Sequence, residues 1–458
     1  MRVRDRGGLA AAAVFAAAIV VVEFLRWRNF WAGGFDVGVF DQGAYQLAHG
    51  HAPVVSLLDR DLFSDHLSPV MVLFALPYRV VPTVFWLFLA QGICIGLTIL
   101  PMRAFARDAG VDPRLATALV VLNAPLLAAA MFEFHPATMG VPFLAWALLG
   151  ARRGDRRLVV LASIAALICR ADLGWILAST AIVARKETRR PLLLLGVGGV
   201  IAGAVIPGML GNPGTWVPYY GHLGSSPVDF ALHPWRLVTR GFGRDPLGTF
   251  FTWLLPVGFL VVLKPRWLFT IFVAGFPVLF SRWAGTQLPW FHYGAPVVPL
   301  IIGGALLALG RDRAVRPNEP DLLRSPVVAL GGLAVAALMV SPLSPRAPDS
   351  VRLTSVVRDA PDADYAAAVA AVRSDDAVAG TNRALAHLMH RNGAYLFPLP
   401  FTTITGTYPG GLETPPNATD ASDVDIVIVS LDDEAAARAQ GFTVQVPVRG
   451  LYVARRAT

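Results

Sequence analysis

The segment FDVGVFDQ (35–42) sets two aspartates, Asp36 and Asp41, among aromatic and small apolar residues directly after a strongly hydrophobic N-terminal stretch. A carboxylate kept in such a setting can take the proton from an attacking hydroxyl, the task of a general base. Four further segments carry ionisable groups: SDHLSP (64–69) with Asp65 and His66, FEFHP (132–136) with Glu133 and His135, CRADLG (169–174) with Arg170 and Asp172, and WFHYG (290–294) with His292 and Tyr293. Arginine and imidazole beside carboxylates suit a reaction in which one group loses a proton while a departing anion is stabilised. The carboxylates Asp36, Asp41, Asp65 and Glu133, with His66 or His135, alternatively offer the mainly oxygen ligands that Mg2+ or Mn2+ prefers. Their spacing matches no recognised metal motif.

Each group also has a plainer role open to it. Loop aspartates often cap helices or face solvent, and the spacing of Asp36 and Asp41 does not put both on one helix face. Asp65 and His66 could cap a short helix, and Glu133 with His135 could polarise a turn. Arg170 and Asp172 could be a structural ion pair at the lipid boundary, and His292 with Tyr293 an interfacial anchor.

The elements that must position these groups are apolar. The chain has 458 residues, 55% of them hydrophobic and 15% charged, with a mean hydropathy of +0.55. Such a balance lies outside the range of soluble domains and indicates an integral membrane protein. Apolar segments recur from residue 9 to about 340, separated by clusters of Lys and Arg at 103–114, 151–157, 185–190, 264–266 and 311–316. With the N-terminus in the cytoplasm, all five clusters fall inside if there are about eleven spans, near 9–25, 83–101, 115–131, 137–150, 157–169, 172–184, 191–209, 248–263, 267–281, 294–310 and 326–342. The first reads as a retained signal anchor. A large first outer loop, 26–82, then contains a re-entrant or interfacial helix at 69–81. The net charge of +8 is spread between spans, which argues for topology and against nucleic acid. Cys94 and Cys169 both lie in apolar segments, so neither a disulfide framework nor a zinc site is indicated.

With the spans placed in this way, the five polar segments all reach the outer face. Carboxylates, imidazoles and an arginine from separate loops then converge at one surface, where ionisable groups near hydrocarbon are costly unless paired or functional. The membrane part is read as 1–344, and 345–458 as a small soluble extracytoplasmic α/β domain reached through the Pro-rich stretch SPLSPRAPDS. That domain has no Gly-rich phosphate loop. It could recognise an acceptor, cap the cavity, or only stabilise the chain.

FDVGVFDQ, SDHLSP, the FHP of the outer turn, CRAD and FHY, in this order, resemble an uncharacterised family of predicted bacterial multi-pass membrane proteins. That family in turn resembles the GT-C class of membrane glycosyltransferases, which implies a catalytic aspartate in the first outer loop and a sugar donor carried on a polyprenyl phosphate. The chain departs from the family pattern at Ala137 and Ala171, where acidic residues are expected. The resemblance implies a plasma-membrane enzyme of inverting type, with Asp36 or Asp41 as base, Asp65, His66, Glu133, His135, Arg170, Asp172, His292 and Tyr293 contacting substrate, and an envelope glycan, lipid or protein as acceptor. Arg236, Arg240 or Arg244 could reach the leaving phosphate from the long outer loop at 211–248. Transport, including lipid flipping, and a non-catalytic envelope scaffold are the competing readings.

Overall fold

The computed structural model describes residues 5–212, 214, 216–242, 244–310, 325–398, 401 and 423–457. The basic cluster at 311–316 and the side chain of Arg244 lie outside the described part.

The first apolar stretch is one helix, α1 (Arg6–Arg28), whose 23 residues rise about 35 Å, enough for a hydrocarbon layer of about 30 Å. Asp5 caps it by accepting from the Gly8 amide at 2.9 Å and pairs with Arg103, at 2.8 Å, and with Arg107. Along its length α1 packs on the helix Phe85–Leu97. Gly92 and Gly96 of GICIG make that approach possible, since a Cβ on either would lie 2.6 Å from Val20 Cγ2 or 2.5 Å from the Ala12 carbonyl oxygen. Close backbone contact of this kind holds helices together where lipid removes the hydrophobic drive.

Four described helices are long and apolar enough to cross a membrane: Arg6–Arg28, Phe85–Asp108, Lys186–Met209 and His292–Leu309. Pro113–Val121 and Ala124–Met131 make a fifth if their 46° bend is taken within one span. The sequence reading of about eleven spans is larger than this number of long helices. Helices do occupy the other apolar segments, but they are short or broken, for local reasons. Pro125 cannot continue the ladder from the preceding helix, Gly154 ends Val141–Arg153 in the left-handed region at φ 76°, and Arg244–Leu254 gives way to 3-10 turns around Gly258 and Phe259, at φ 58° and 57°. Short pieces are tolerated where protein rather than lipid surrounds them, as it does along most of Val141–Arg153.

Between the first two long helices lies the segment read from the sequence as the first outer loop. A single π-turn, Gly34–Gly38, runs into α2 (Val39–Ala48), followed by the hairpin β1 (Val54–Val55) and β2 (Arg60–Asp61) and the helical turn Leu62–Asp65, capped by Asp61. Pro69–Val80 is apolar but too short to cross, and it packs against α2.

The C-terminal part holds a five-stranded mixed sheet of β3 (Val378–Gly380), β4 (Ala394–Leu396), β5 (Ile426–Ser430), β6 (Phe442–Val446) and β7 (Leu451–Arg456), in the order β4-β3-β5-β7-β6. β4, β3 and β5 are parallel, and β7 is antiparallel to both β5 and β6. Alternation along β5 splits its side chains: Ile426 and Ile428 join the core shared with the membrane part, while Val427 and Val429 meet Phe442 and Tyr452 on the other face. The Pro-rich stretch before the sheet is not a free linker. Ser341, Ser344 and Ala347 are buried, and Ala347 and Val351 pack with Phe132, Trp290 and Phe291.

Candidate functional site

Asp36 sits in the π-turn, where glycines let another part of the chain press against the backbone. A Cβ on Gly34 would lie 2.5 Å from Leu385 Cβ. The Phe35 amide donates to Asn382 Oδ1 at 2.7 Å, so the single helical turn Asn382–Leu385 from the C-terminal part backs the loop that carries Asp36. From that loop Asp36 Oδ1 faces His135 Nε2 at 3.7 Å. This is longer than a hydrogen bond.

His135 is 7% exposed and stacks on His292 with ring centroids 3.5 Å apart. Its Nδ1 lies 3.0 Å from the Glu133 carbonyl, which can only accept, so Nδ1 carries the hydrogen and Nε2 presents a lone pair to Asp36. Burial pulls this imidazole down to about 3, with Arg170 and His66 pushing the same way against the Glu133 hydrogen bond. His135 is therefore neutral near pH 7. Burial likewise lifts the Asp36 carboxyl well above the usual carboxylate range, helped by the charge of Glu133 and opposed by Arg26. The raised value makes Asp36 a stronger base once ionised.

The other expected residues divide between this site and its supports. Arg170, at the end of the helix Arg156–Cys169, pairs with Asp172 at 2.7 Å, and its Nε is buried without a hydrogen-bond partner among the described residues. Asp65 and His66 pair at 3.3 Å, and the Leu67 carbonyl accepts from the Ala171 amide at 2.9 Å, which joins the SDHLSP and CRAD turns. Tyr293 follows His292 and meets Trp283 edge-on at 5.3 Å. Burial pushes the Tyr219 phenol up to about 12, with Asp65 nearby adding to the rise, so the helix Trp216–Tyr220 of the long outer loop also borders the group. Arg236 is paired with Asp229 at 2.9 Å.

Asp41 is not brought to this group. It is 4% exposed and accepts hydrogen bonds from Tyr78 at 2.7 Å and His390 at 3.0 Å, so it ties α2 to the Pro69–Val80 helix and to the C-terminal part. Glu133 is also committed elsewhere, for its Oε1 accepts from Arg26 at 3.0 Å and from the Gly33 amide at 3.1 Å. Arg26 in turn donates to the carbonyls of Phe132, Trp31 and Ser350. Beneath it, Gln91 donates to Glu23 at 2.5 Å and accepts from the His135 amide at 2.8 Å. Arg26, Glu23 and Gln91 thus hold the turn that carries His135. Their only mark in the sequence was charge and amide groups inside otherwise apolar segments. Among the described residues no three His, Cys, Asp or Glu side chains are grouped to hold a metal. With Glu133 held by Arg26 and Asp41 facing away, the donor set does not fit Mg2+ or Mn2+, and no step is routed through one.

The chain resembles ArnT from Cupriavidus metallidurans in fold: the crystal structure bound to undecaprenyl phosphate superposes with a TM-score of 0.54 at 16% identity, covering 97% of this chain and 98% of that one. The apo structure gives 0.50 at 15% identity, covering 98% of each. No curated protein matches. The family model described as predicted membrane protein (DUF2079) matches residues 26–443, and the chain belongs to that family. This agrees with the membrane family read from the sequence.

Proposed function

We propose that this DUF2079 protein is a GT-C-type membrane glycosyltransferase, which moves a sugar from a polyprenyl-phosphate donor to a cell-envelope acceptor at the outer face. The observation that carries the reading is Asp36, backed by the C-terminal part and set beside a neutral His135 that lies in the field of Arg170. The ArnT likeness supports a lipid-linked donor, because undecaprenyl phosphate is the ligand of that crystal structure.

In this reading the acceptor oxygen forms a bond to the anomeric carbon as the bond from that carbon to the phosphate oxygen breaks. The hydroxyl proton passes to the Asp36 carboxylate, and polyprenyl phosphate leaves with its electron pair. Arg170 supplies positive charge where that charge develops. His135 stands beside Asp36 as a neutral imidazole, so no imidazolium charge competes for the Asp36 carboxylate. One displacement inverts the anomeric configuration. Asp41 acts by fixing α2 rather than by touching substrate. The N-terminus is cytoplasmic, and 345–458 forms an extracytoplasmic unit behind the Asp36 loop.

The test is incubation of the purified protein in lipid nanodiscs with a panel of polyprenyl-phosphate sugars and envelope acceptors, following both polyprenyl phosphate and the glycosylated product. Transfer is expected from at least one donor. Movement of a lipid across a sealed vesicle with no product from any donor would replace this reading with transport.

A further inference from the structure

Three glycines, Gly33, Gly34 and Gly38, flank Asp36. Glycine loses more backbone freedom on folding than any other residue, so this stretch does not hold one shape by itself. The hold comes from outside it. On the side of the membrane part, Glu133 accepts from the Gly33 amide at 3.1 Å. From the C-terminal part, Asn382 Oδ1 accepts from the Phe35 amide at 2.7 Å, one residue before Asp36. A Cβ on Gly33 would lie 2.5 Å from Asn382 Nδ2, and one on Gly38 would lie 2.8 Å from Met389 Cγ, so the C-terminal part also closes on the turn sterically.

The contacts continue in step along α2. His390 reaches Asp41 at 3.0 Å, the Arg391 carbonyl accepts from Gln42 Nε2 at 2.8 Å, and Asn392 Oδ1 accepts from Gln46 Nε2 at 3.2 Å. Ser56 closes the series, donating through its hydroxyl to the Ala394 carbonyl at 2.7 Å and through its amide to Gln42 Oε1 at 2.9 Å. Residues 382–392 and 33–46 therefore run side by side in the same direction. Gln42 is fully buried, with both its amide oxygen and its amide nitrogen engaged. A slip of one residue would strand these donors and acceptors together, at a cost for each that is buried. The pairing thus fixes a register.

We propose that Asn382 is a positioning residue for Asp36, and that segment 382–394 of the C-terminal part is the template on which the glycine-rich turn takes its shape. Asn382 acts through the Phe35 amide rather than by touching substrate. The C-terminal part thereby sets the geometry of the base. The consequence for catalysis rests on the transferase reading; the templating of the turn rests on the contacts alone.

The experiment combines hydrogen exchange, read by mass spectrometry on the full chain in phospholipid nanodiscs, with turnover of a donor that the wild type uses. Asn382→Ala removes the acceptor and Asn382→Asp keeps one. Asn382→Ala should speed amide exchange over 34–40 about tenfold, as the loss of one hydrogen bond implies, and leave α1 and β5 unchanged. It should also lower kcat about tenfold with KM little altered, since a misplaced reacting group costs rate rather than binding. Asn382→Asp should restore both. Gly34→Ala, whose Cβ would lie 2.5 Å from Leu385 Cβ, should behave as Asn382→Ala does, and it carries the test if Asn382→Ala melts early. Unchanged exchange, exchange raised equally through the C-terminal sheet, or full kcat in a folded Asn382→Ala protein would overturn the proposal. Faster exchange over 34–40 in the variant, with a wild type that transfers from no donor, would uphold the template and sink the transferase reading instead.

Discussion

Asp36 and Asp41 carry the same carboxyl group into different surroundings. Asp36 faces a lone pair on His135 with its side chain 29% exposed, whereas both neighbours of Asp41 hydrogen-bond to it and bury it. The sequence showed that carboxylates were kept in an apolar setting. It did not show which one was free to act, because Tyr78 and His390 are distant in the chain from Asp41 and meet it only in the fold. The surroundings of Asp36 also set a pH dependence. Its raised carboxyl is ionised only above its own pKa, so kcat/KM should fall as pH drops through a value above the ordinary carboxylate range of about 4. Glu133→Gln removes a nearby like charge and leaves Arg26 unopposed, and both changes should move this acid limb to lower pH. A pH–rate profile of the two proteins checks it, and an upward shift or an unmoved limb would contradict the electrostatic reading of the site.

At the scale of elements, the apolar segments located helices well and their continuity badly. Pro125 and the left-handed pair Gly258 and Phe259 break helices within runs whose hydropathy alone reads as continuous. Packing was also hidden: the composition of SPLSPRAPDS suggests a flexible linker, yet Arg26 reaches the Ser350 carbonyl at 2.9 Å and fixes it. The contact between α2 and the C-terminal part turns on His390. Burial works against its charge, but the hydrogen bond and charge of Asp41 outweigh burial and Arg391, so its pKa is raised; Tyr45 stacks on it and Tyr78 meets it edge-on. A raised folded-state pKa contributes stability that is complete below the unfolded value of about 6.5 and lost as pH rises through the folded one. Melting midpoints measured from pH 6 upward should therefore decline more steeply in the wild type than in His390→Gln. Parallel curves would show that the pair carries no such linkage.

For the whole molecule, the central feature is that a loop from the N-terminal part and a helical turn from the C-terminal part build one site. The sequence separates them by more than three hundred residues, and contacts such as those of Gly34 with Leu385 and Phe35 with Asn382 reveal the union. The outer-face placement proposed for both parts predicts a labelling pattern. A cysteine at the exposed Ala436 should react with a membrane-impermeant maleimide in intact cells, and one at the exposed Lys186 only after permeabilisation. The native Cys94 and Cys169 are buried and should stay silent. Reversed labelling would put the site on the other face and remove the case for a lipid-linked donor.

The most direct measurement compares polyprenyl phosphate release, from a donor that the wild type uses, by the wild type, Asp36→Asn and Asp41→Asn at one pH, with folding checked by melting. The expected result is a loss of about 10²- to 10⁴-fold for Asp36→Asn, the usual contribution of a general base, with most of the turnover kept in Asp41→Asn. Retained release in a folded Asp36→Asn protein, or a greater loss in Asp41→Asn at unchanged stability, would contradict the assignment of Asp36 as the base.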